Sequence, residues 1–173
     1  MDQSEIESQL RIAKEREAEL QQQVEELQDF IENAALPLHW VNGSGIVIWA
    51  NKVELEFLGY TKEEYIGNHI SNFHADKEVI EEILHRLINK ETLKNFPARL
   101  RCKNGDIKPV LINSNVLWRN DKFIHTRCFT RDITDLKKLD EKKIELINTL
   151  HEKNVELIKE NKNLKLRIES ISK

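Results

Sequence analysis

Apolar residues recur at Ile6, Leu10, Ala13, Leu20, Val24, Leu27 and Ile31, in steps of three and four that only Glu17 interrupts, across a stretch without Pro or Gly. That spacing predicts a helix from Ser4 to Ile31 carrying a heptad seam. Ser4 and Glu7 read as a capping box at its start. The stripe is narrow and the other faces are Glu, Gln, Lys and Arg, which favours coiled-coil pairing over a helix lying on its own domain. A second seam closes the chain: Ile147, Leu150, Asn154, Leu157, Asn161, Leu164, Ile168 and Ile171, weakening toward Asp140 and Lys143. With Leu157 and Leu164 at d, Asn154 and Asn161 fall at a, where a buried Asn pairs with its mate and favours two parallel strands.

Between the seams the period changes. Pro37 ends the first helix, and Leu36–Val41, Asn42-Gly43-Ser44-Gly45 and Ile46–Trp49 read as a β-hairpin. Asn51 to Leu58 forms a short helix closed by Gly59. Thr61 with Glu64 boxes the start of another, which Gly67 ends. Asp76 to Asn89 has the best internal helical pattern and buries Ile80, Ile83, Leu84 and Leu87. Three strands follow, Asn95–Cys102, Lys108–Trp118 and Lys122–Thr130, joined by turns at Asn104-Gly105 and Asn120-Asp121. Alternation puts Val110, Ile112, Ser114, Val116 and Trp118 on one face, and Ile124, Thr126, Cys128 and Thr130 on one face of the last strand. At Arg131-Asp132-Ile133-Thr134 that strand gives way to the long charged helix, and Asp132 and Thr134 both suit its N-cap. Two strands, helices and three strands make an α+β domain with one antiparallel sheet.

Composition narrows the classes of function. At 173 residues and a formal net charge of −3 the chain has room for one modest domain plus extended segments. No apolar run is long enough to span a bilayer and the start lacks a signal-peptide core, so a cytoplasmic protein is expected. Lys and Arg are interleaved with Glu and Asp, without the basic excess of a nucleic-acid surface. Cys102 and Cys128 have no His or Cys at metal spacing, and no metal site is expected. His39, His69, His74 and His125 likewise lack the spacing of metal ligands or catalytic bases.

The run WANKVELEFLGYTKEEYIG from Trp49 to Gly67, the KNGD turn at Lys103–Asp106 and the closing RDITDLKK at Arg131–Lys138 together resemble a PAS sensor domain. The resemblance spans residues 29–138. It implies a five-stranded antiparallel sheet in the order second, first, fifth, fourth, third, with short helices on one face and a cavity between them. Candidate cavity-lining residues are then Ile80, Leu84, Val110, Ile112, Ser114, Thr126 and Cys128. Cys102 on the third strand and Cys128 on the fifth would lie ~9.5 Å apart, two strand spacings, beyond disulfide reach. Flavin-binding light sensors of the family carry an adduct-forming cysteine after the Gly corresponding to Gly67, where this chain reads NHISNF from Asn68 to Phe73. Their flavin-contacting asparagines would fall near Leu100 and Val110. Haem-binding relatives place an axial His near Val79, whereas His85 shares the face of Glu78, Glu81 and Glu82. The resemblance thus argues against haem and a covalent flavin adduct, and leaves the cofactor unknown.

The LHEKN segment at Leu150–Asn154 resembles the start of the phosphoacceptor box of sensor histidine kinases, with His151 as the acceptor. The Arg-Thr-Pro that commonly follows is absent, and no Gly-rich phosphate loop occurs. A non-enzymatic reading follows, with three parts: residues 1–31 an N-terminal coiled-coil helix, 32–134 a PAS domain, 135–173 a C-terminal coiled-coil signalling helix. The expected function is a sensory and dimerisation module in intracellular signal transduction, relaying a cavity or sheet-surface signal through Asp132, Ile133 and Thr134 to the C-terminal helix. The expected partners are a parallel homodimer mate, joined along Leu10, Leu20, Val24, Leu27, Leu150, Asn154, Leu157, Asn161, Leu164 and Ile168, and a downstream signalling protein or effector domain, as in two-component systems. A structural dimeric adaptor, or the input fragment of a sensor kinase or cyclase, would carry the same pattern.

Overall fold

The computed structural model describes residues 2–171, and the side chains at the seam positions Ile6 and Ile171 lie outside that description. The chain divides into two units, residues 1–132 and 133–173. In the first, helix α1 (Gln3–Glu32) precedes strands β1 (Leu38–Val41) and β2 (Val47–Ala50), then helices α2 (Lys52–Leu58) and α3 (Lys62–Tyr65), a 3₁₀ turn (Ile70–Phe73), helix α4 (Lys77–Ile88), and strands β3 (Leu93–Arg101), β4 (Ile107–Arg119) and β5 (Lys122–Asp132). The second is helix α5 (Thr134–Ile171) with the residue before it. The sheet is antiparallel throughout, in the order β2-β1-β5-β4-β3, and the fold is the α+β PAS-like arrangement expected from sequence.

Local chemistry explains most boundaries. Asn51 caps α2 by accepting from the Glu54 amide, and Gly59 closes it in the left-handed region at φ 79°. Thr61 and Glu64 form the reciprocal capping box at α3. Asn120 and Asp121 both take positive φ, 48° and 58°, in the two-residue turn joining β4 to β5, the twist a tight hairpin demands. Helix α1 departs from expectation at its start. It begins ahead of Ser4, with Asp2 extended before it and no side-chain cap. Ser4 is therefore helical, its backbone is not that of an N-cap, and the Ser4–Glu7 box does not form.

Helix α4 covers the sheet with Ile80, Ile83 and Leu87, each buried, and Leu84 half-buried at its edge. Burying three such side chains contributes about 1.5–3 kcal/mol apiece. Val110, Ile112 and Val116 of β4, with Cys128 of β5, form the facing layer. The register is regular except near the hairpin, where Leu117 pairs with His125 but Trp118 pairs with Phe123. Ile124 is the extra residue of that bulge. It is turned to solvent, 37% exposed, so the alternation expected to aim it inward fails there, while Thr126, Cys128 and Thr130 remain buried. Cys102 lies one residue past the end of β3, and both cysteines are free and buried.

One fully buried side chain ties the start of the domain together. Asn51 Oδ1 accepts from the backbone amides of Leu38 (3.0 Å) and Glu54 (2.9 Å), and Nδ2 donates to the carbonyls of Leu36 (3.0 Å) and Ile31 (3.3 Å). The carboxamide thus joins the last turn of α1, the Pro37 segment, β1 and α2. Asn51→Ala would leave several of these backbone groups buried without partners, at 1–3 kcal/mol each. The expected loss is about 3 kcal/mol or more in urea unfolding, and a loss under about 1 kcal/mol would show that water replaces the carboxamide.

Candidate functional site

The inner face of the sheet and α4 enclose a chamber of about 20 Å³, lined on the sheet side by His39, Ile112, Ser114, Thr126 and Cys128 and on the helix side by Ile80, Ile83, Leu84 and Leu87. Strand alternation brings the polar members together, since Ser114 pairs with Cys128 and Val116 with Thr126 across β4 and β5. Of the seven lining residues expected from sequence, Ile80, Leu84, Ile112, Ser114, Thr126 and Cys128 line it. Val110 does not. It is fully buried in the core, but its pairing with Asp132 puts it at the end of the ladder, beyond the chamber. A second, larger pocket of about 430 Å³ shares His74, Ile80 and Leu84 as walls and is also lined by His69, Ser71, Lys77 and Glu81.

A buried polar cluster backs the chamber. His39 Nδ1 meets Glu54 Oε1 at 2.9 Å, and Tyr65 Oη donates to the same oxygen at 2.8 Å. Glu54 is fully buried and His39 is 4% exposed. Burial works against a charge on His39, but Cys128 and the Glu54 carboxylate beside it outweigh burial, and its pKa is raised well above 6.5. The raised pKa favours the charged form of the His39 ring beside Glu54. Burial, together with the Glu54 carboxylate, pushes the Tyr65 phenol up and keeps it protonated. His74 behaves oppositely: burial and the positive His39 lower its pKa to about 4, against the partial opposition of Asp76. Among the described residues, Glu54 Oε2, His74 Nδ1, Ser114 Oγ and Thr130 Oγ1 are buried without a hydrogen-bond partner.

His39, Glu54, Tyr65 and His74 were not among the candidate site residues. His39 alternates with Trp40 on β1 and so shares the inward face with Val41, a signal present in the pattern LHWV. Glu54 gave none, because its partners are 15 and 11 residues away in sequence and meet it only through the fold. The other histidines have separate positions: His69 caps the 3₁₀ turn through its Nδ1, His125 stacks on Trp40 at 4.3 Å, and His85 and His151 are exposed. Asp132 ends β5, Thr134 begins α5, and Ile133 between them is buried, its carbonyl accepting from the Lys137 amide at 2.9 Å. The residues read as seam positions lie on α1 and α5, and Asn154 and Asn161 are exposed.

Neither isoalloxazine nor haem fits the chamber, since cofactor pockets run to about 300–1,000 Å³. Leu100 and Val110 are buried, and His85 is exposed.

The two histidines set opposite limbs of a stability profile. His39 has a folded pKa above the unfolded value of about 6.5, so its contribution is complete below pH 6.5 and is lost as pH rises through the folded pKa. His74 has its folded pKa near 4 against 6.5, so its contribution is lost as pH falls from 6.5 toward 4, by roughly 3 kcal/mol at its limit. Urea unfolding across pH 4–9 is expected to peak near pH 6.5. His74→Leu is expected to flatten the acid limb between 6.5 and 4, and an unchanged acid limb would remove His74 as its source.

The sequence profile of the PAS domain family matches residues 34–135. No curated protein matches the chain. Among solved structures, the chain is similar to the PAS domain of an HTR-like protein from Haloarcula marismortui, with 21% identity, a TM-score of 0.61, and coverage of 69% of this chain and 99% of that one. It is also similar to the PAS domain of a protein from Colwellia psychrerythraea, with 20% identity, a TM-score of 0.56, and coverage of 65% and 98%. A domain of a sensory box sensor histidine kinase/response regulator from Geobacter sulfurreducens superimposes with 20% identity, a TM-score of 0.53, and coverage of 63% and 95%. At these identities the structural likeness speaks for the fold, and the profile, which covers more than half of the chain, speaks for the family. The chain belongs to the PAS domain family, and residues 34–135 are its sensory domain.

Proposed function

We propose that the protein is a cytoplasmic, non-catalytic PAS module of a signal-transduction pathway, acting as a parallel homodimer in which the state of the chamber biases the packing of α5. The observation that carries this reading is the exposure of regularly spaced apolar side chains on both flanking helices: Leu20 (47%) and Val24 (46%) on α1, Leu150 (52%), Leu157 (54%) and Leu164 (53%) on α5. Side chains of this size at heptad spacing find a dry environment by pairing with a second copy. The chain belongs to a family of sensory domains, and no described helix is long and apolar enough to cross a membrane. Residues 1–31 and 135–173 are assigned as the coiled-coil segments, and 32–134 as the sensor.

Chain continuity supplies the relay. Thr126 and Cys128 line the chamber on β5, the same strand ends at Asp132, and α5 begins at Thr134 with Ile133 alone between them. A change in the packing of β5 is passed along Asp132, Ile133 and Thr134 as a small shift or rotation of the helix, which selects between two arrangements of the coil. A downstream effector domain or partner protein reads that difference.

Sedimentation velocity at micromolar concentration is expected to show a dimer, and a strictly monomeric profile would overturn the pairing. Asn161→Leu is expected to raise the melting temperature of that dimer while loosening control of its oligomeric state. Asp132→Ala tests the relay: a lost side-chain hydrogen bond or cap costs about 1 kcal/mol, too little to unfold the domain. Amide exchange is expected to quicken in residues 135–147 while the strands stay protected. Quickening throughout the sheet, or none anywhere, would contradict a relay through this joint.

A further inference from the structure

The chamber presents polar atoms with no partner to an enclosure that has a route outward. Ser114 Oγ and His74 Nδ1 are buried, at 4% and 6% residue exposure, and neither has a hydrogen-bond partner among the described residues. Both residues line the chamber. Thr126 Oγ1, from the neighbouring strand, accepts from the Val41 amide at 3.0 Å, which leaves its own proton for another acceptor. A buried hydroxyl without a partner costs stability, so an occupant that accepts from it is favoured by that cost. The side of the chamber formed by β1, β4 and β5 is therefore a set of donors in search of oxygen.

Charge selects among oxygen acceptors. His39 lines the chamber, whereas Glu54, its carboxylate partner, does not. An occupant thus meets the His39 ring, itself bonded to the Cys128 side chain, and not the carboxylate. At about 20 Å³ the chamber takes a head group little larger than a water molecule, which describes a carboxylate and excludes a sugar, a nucleotide base or a fused ring. Behind the shared wall of His74, Ile80 and Leu84 lies the outer pocket of about 430 Å³, whose rim is held by the Lys77–Glu81 ion pair at 3.7 Å. Two rotatable aliphatic side chains and one uncharged imidazole separate the two spaces.

We propose that the chamber and the outer pocket form one site for a short aliphatic carboxylate, with its head among Ser114, Thr126 and His39 and its tail passing Ile80 and Leu84 into the outer pocket. The ligand class rests on the reading of the chamber as the sensing site. The Ser114 and Thr126 hydroxyls donate to the carboxylate oxygens, the His39–Glu54 pair persists, the head competes with Cys128 for the other edge of the His39 ring, and the tail packs against Ile80 and Leu84. Movement of Leu84, half-buried at the edge of α4, is the change the ligand requires.

The test is a methyl NMR titration of the full chain at neutral pH with hexanoate as the probe, set against hexan-1-ol and hexylamine. Hexanoate is expected to shift the methyls of Thr126, Ile112, Ile80 and Leu84 saturably, with the alcohol and the amine at least about tenfold weaker, as befits a hydrogen bond to a charged group. Ser114→Ala removes an unpartnered hydroxyl, so it is expected to keep or raise the melting temperature while weakening hexanoate about tenfold. Equal hexanoate affinity in Ser114→Ala, or alcohol or amine binding as tightly at the same methyls, would overturn the carboxylate assignment while leaving the chamber a sensing site. Silence of these methyls to all three probes would overturn both.

Discussion

The carboxamide of Asn51 saturates its hydrogen-bonding capacity on four backbone groups from four segments, and the placement of the N-terminal half of the domain depends on it. Helix α2 has seven residues, too few to be stable alone, so its position is a tertiary matter. Asn51 fixes that position at the first turn. Once it is fixed, Glu54 points inward, where it accepts from both His39 and Tyr65. The capping bond from the Glu54 amide to Asn51 and the side-chain bonds from Glu54 to β1 and α3 therefore form one connected network, and α1 enters it through the Ile31 carbonyl.

Such a network is a weak source of net stability and a strong source of definition. Desolvating an imidazolium and a carboxylate offsets much of their attraction, whereas removing one partner leaves a buried charge behind. The sheet and α4 supply the apolar burial, and the His39–Glu54–Tyr65 cluster specifies how the short helices sit against it. His39 belongs to both halves of the picture. Its Nδ1 edge closes the network, and the residue also walls the chamber, so a change in the chamber acts on the same side chain that positions α2.

Elements set by near-neighbour chemistry were legible in the sequence. The Thr61 cap, the Gly59 stop and the Asn120-Asp121 turn each lie within three residues of what they control and appear where the pattern predicts, whereas Asn51, read as the first residue of its helix, is the cap of one that begins at Lys52. The strand order came from the resemblance of three short motifs and agrees with the sheet. Alternation along β4 and β5 picked out Ile112, Ser114, Thr126 and Cys128, four residues on the sheet side of the chamber. The departures have a common cause in longer-range geometry. The bulge that turns out Ile124 depends on the register of β4 against β5, and the position of Val110 depends on where the ladder ends. Glu54 reads as one more charged residue on a short helix, and only the approach of β1 and α3 makes it the buried centre of a cluster.

Asn51 and His39 act as one unit through Glu54, and a double-mutant cycle measures that directly. Urea unfolding of the parent, Asn51→Ala, His39→Leu and the double variant at pH 6.5 yields a coupling energy. Residues without shared partners add within about 0.3–0.5 kcal/mol, and members of one network depart from additivity by about 0.5–3 kcal/mol. The expected coupling is above about 1 kcal/mol, with the double variant less damaged than the sum of the singles. Additivity within about 0.3 kcal/mol would contradict it, and would make Asn51 a local cap and His39 a separate buried ion pair.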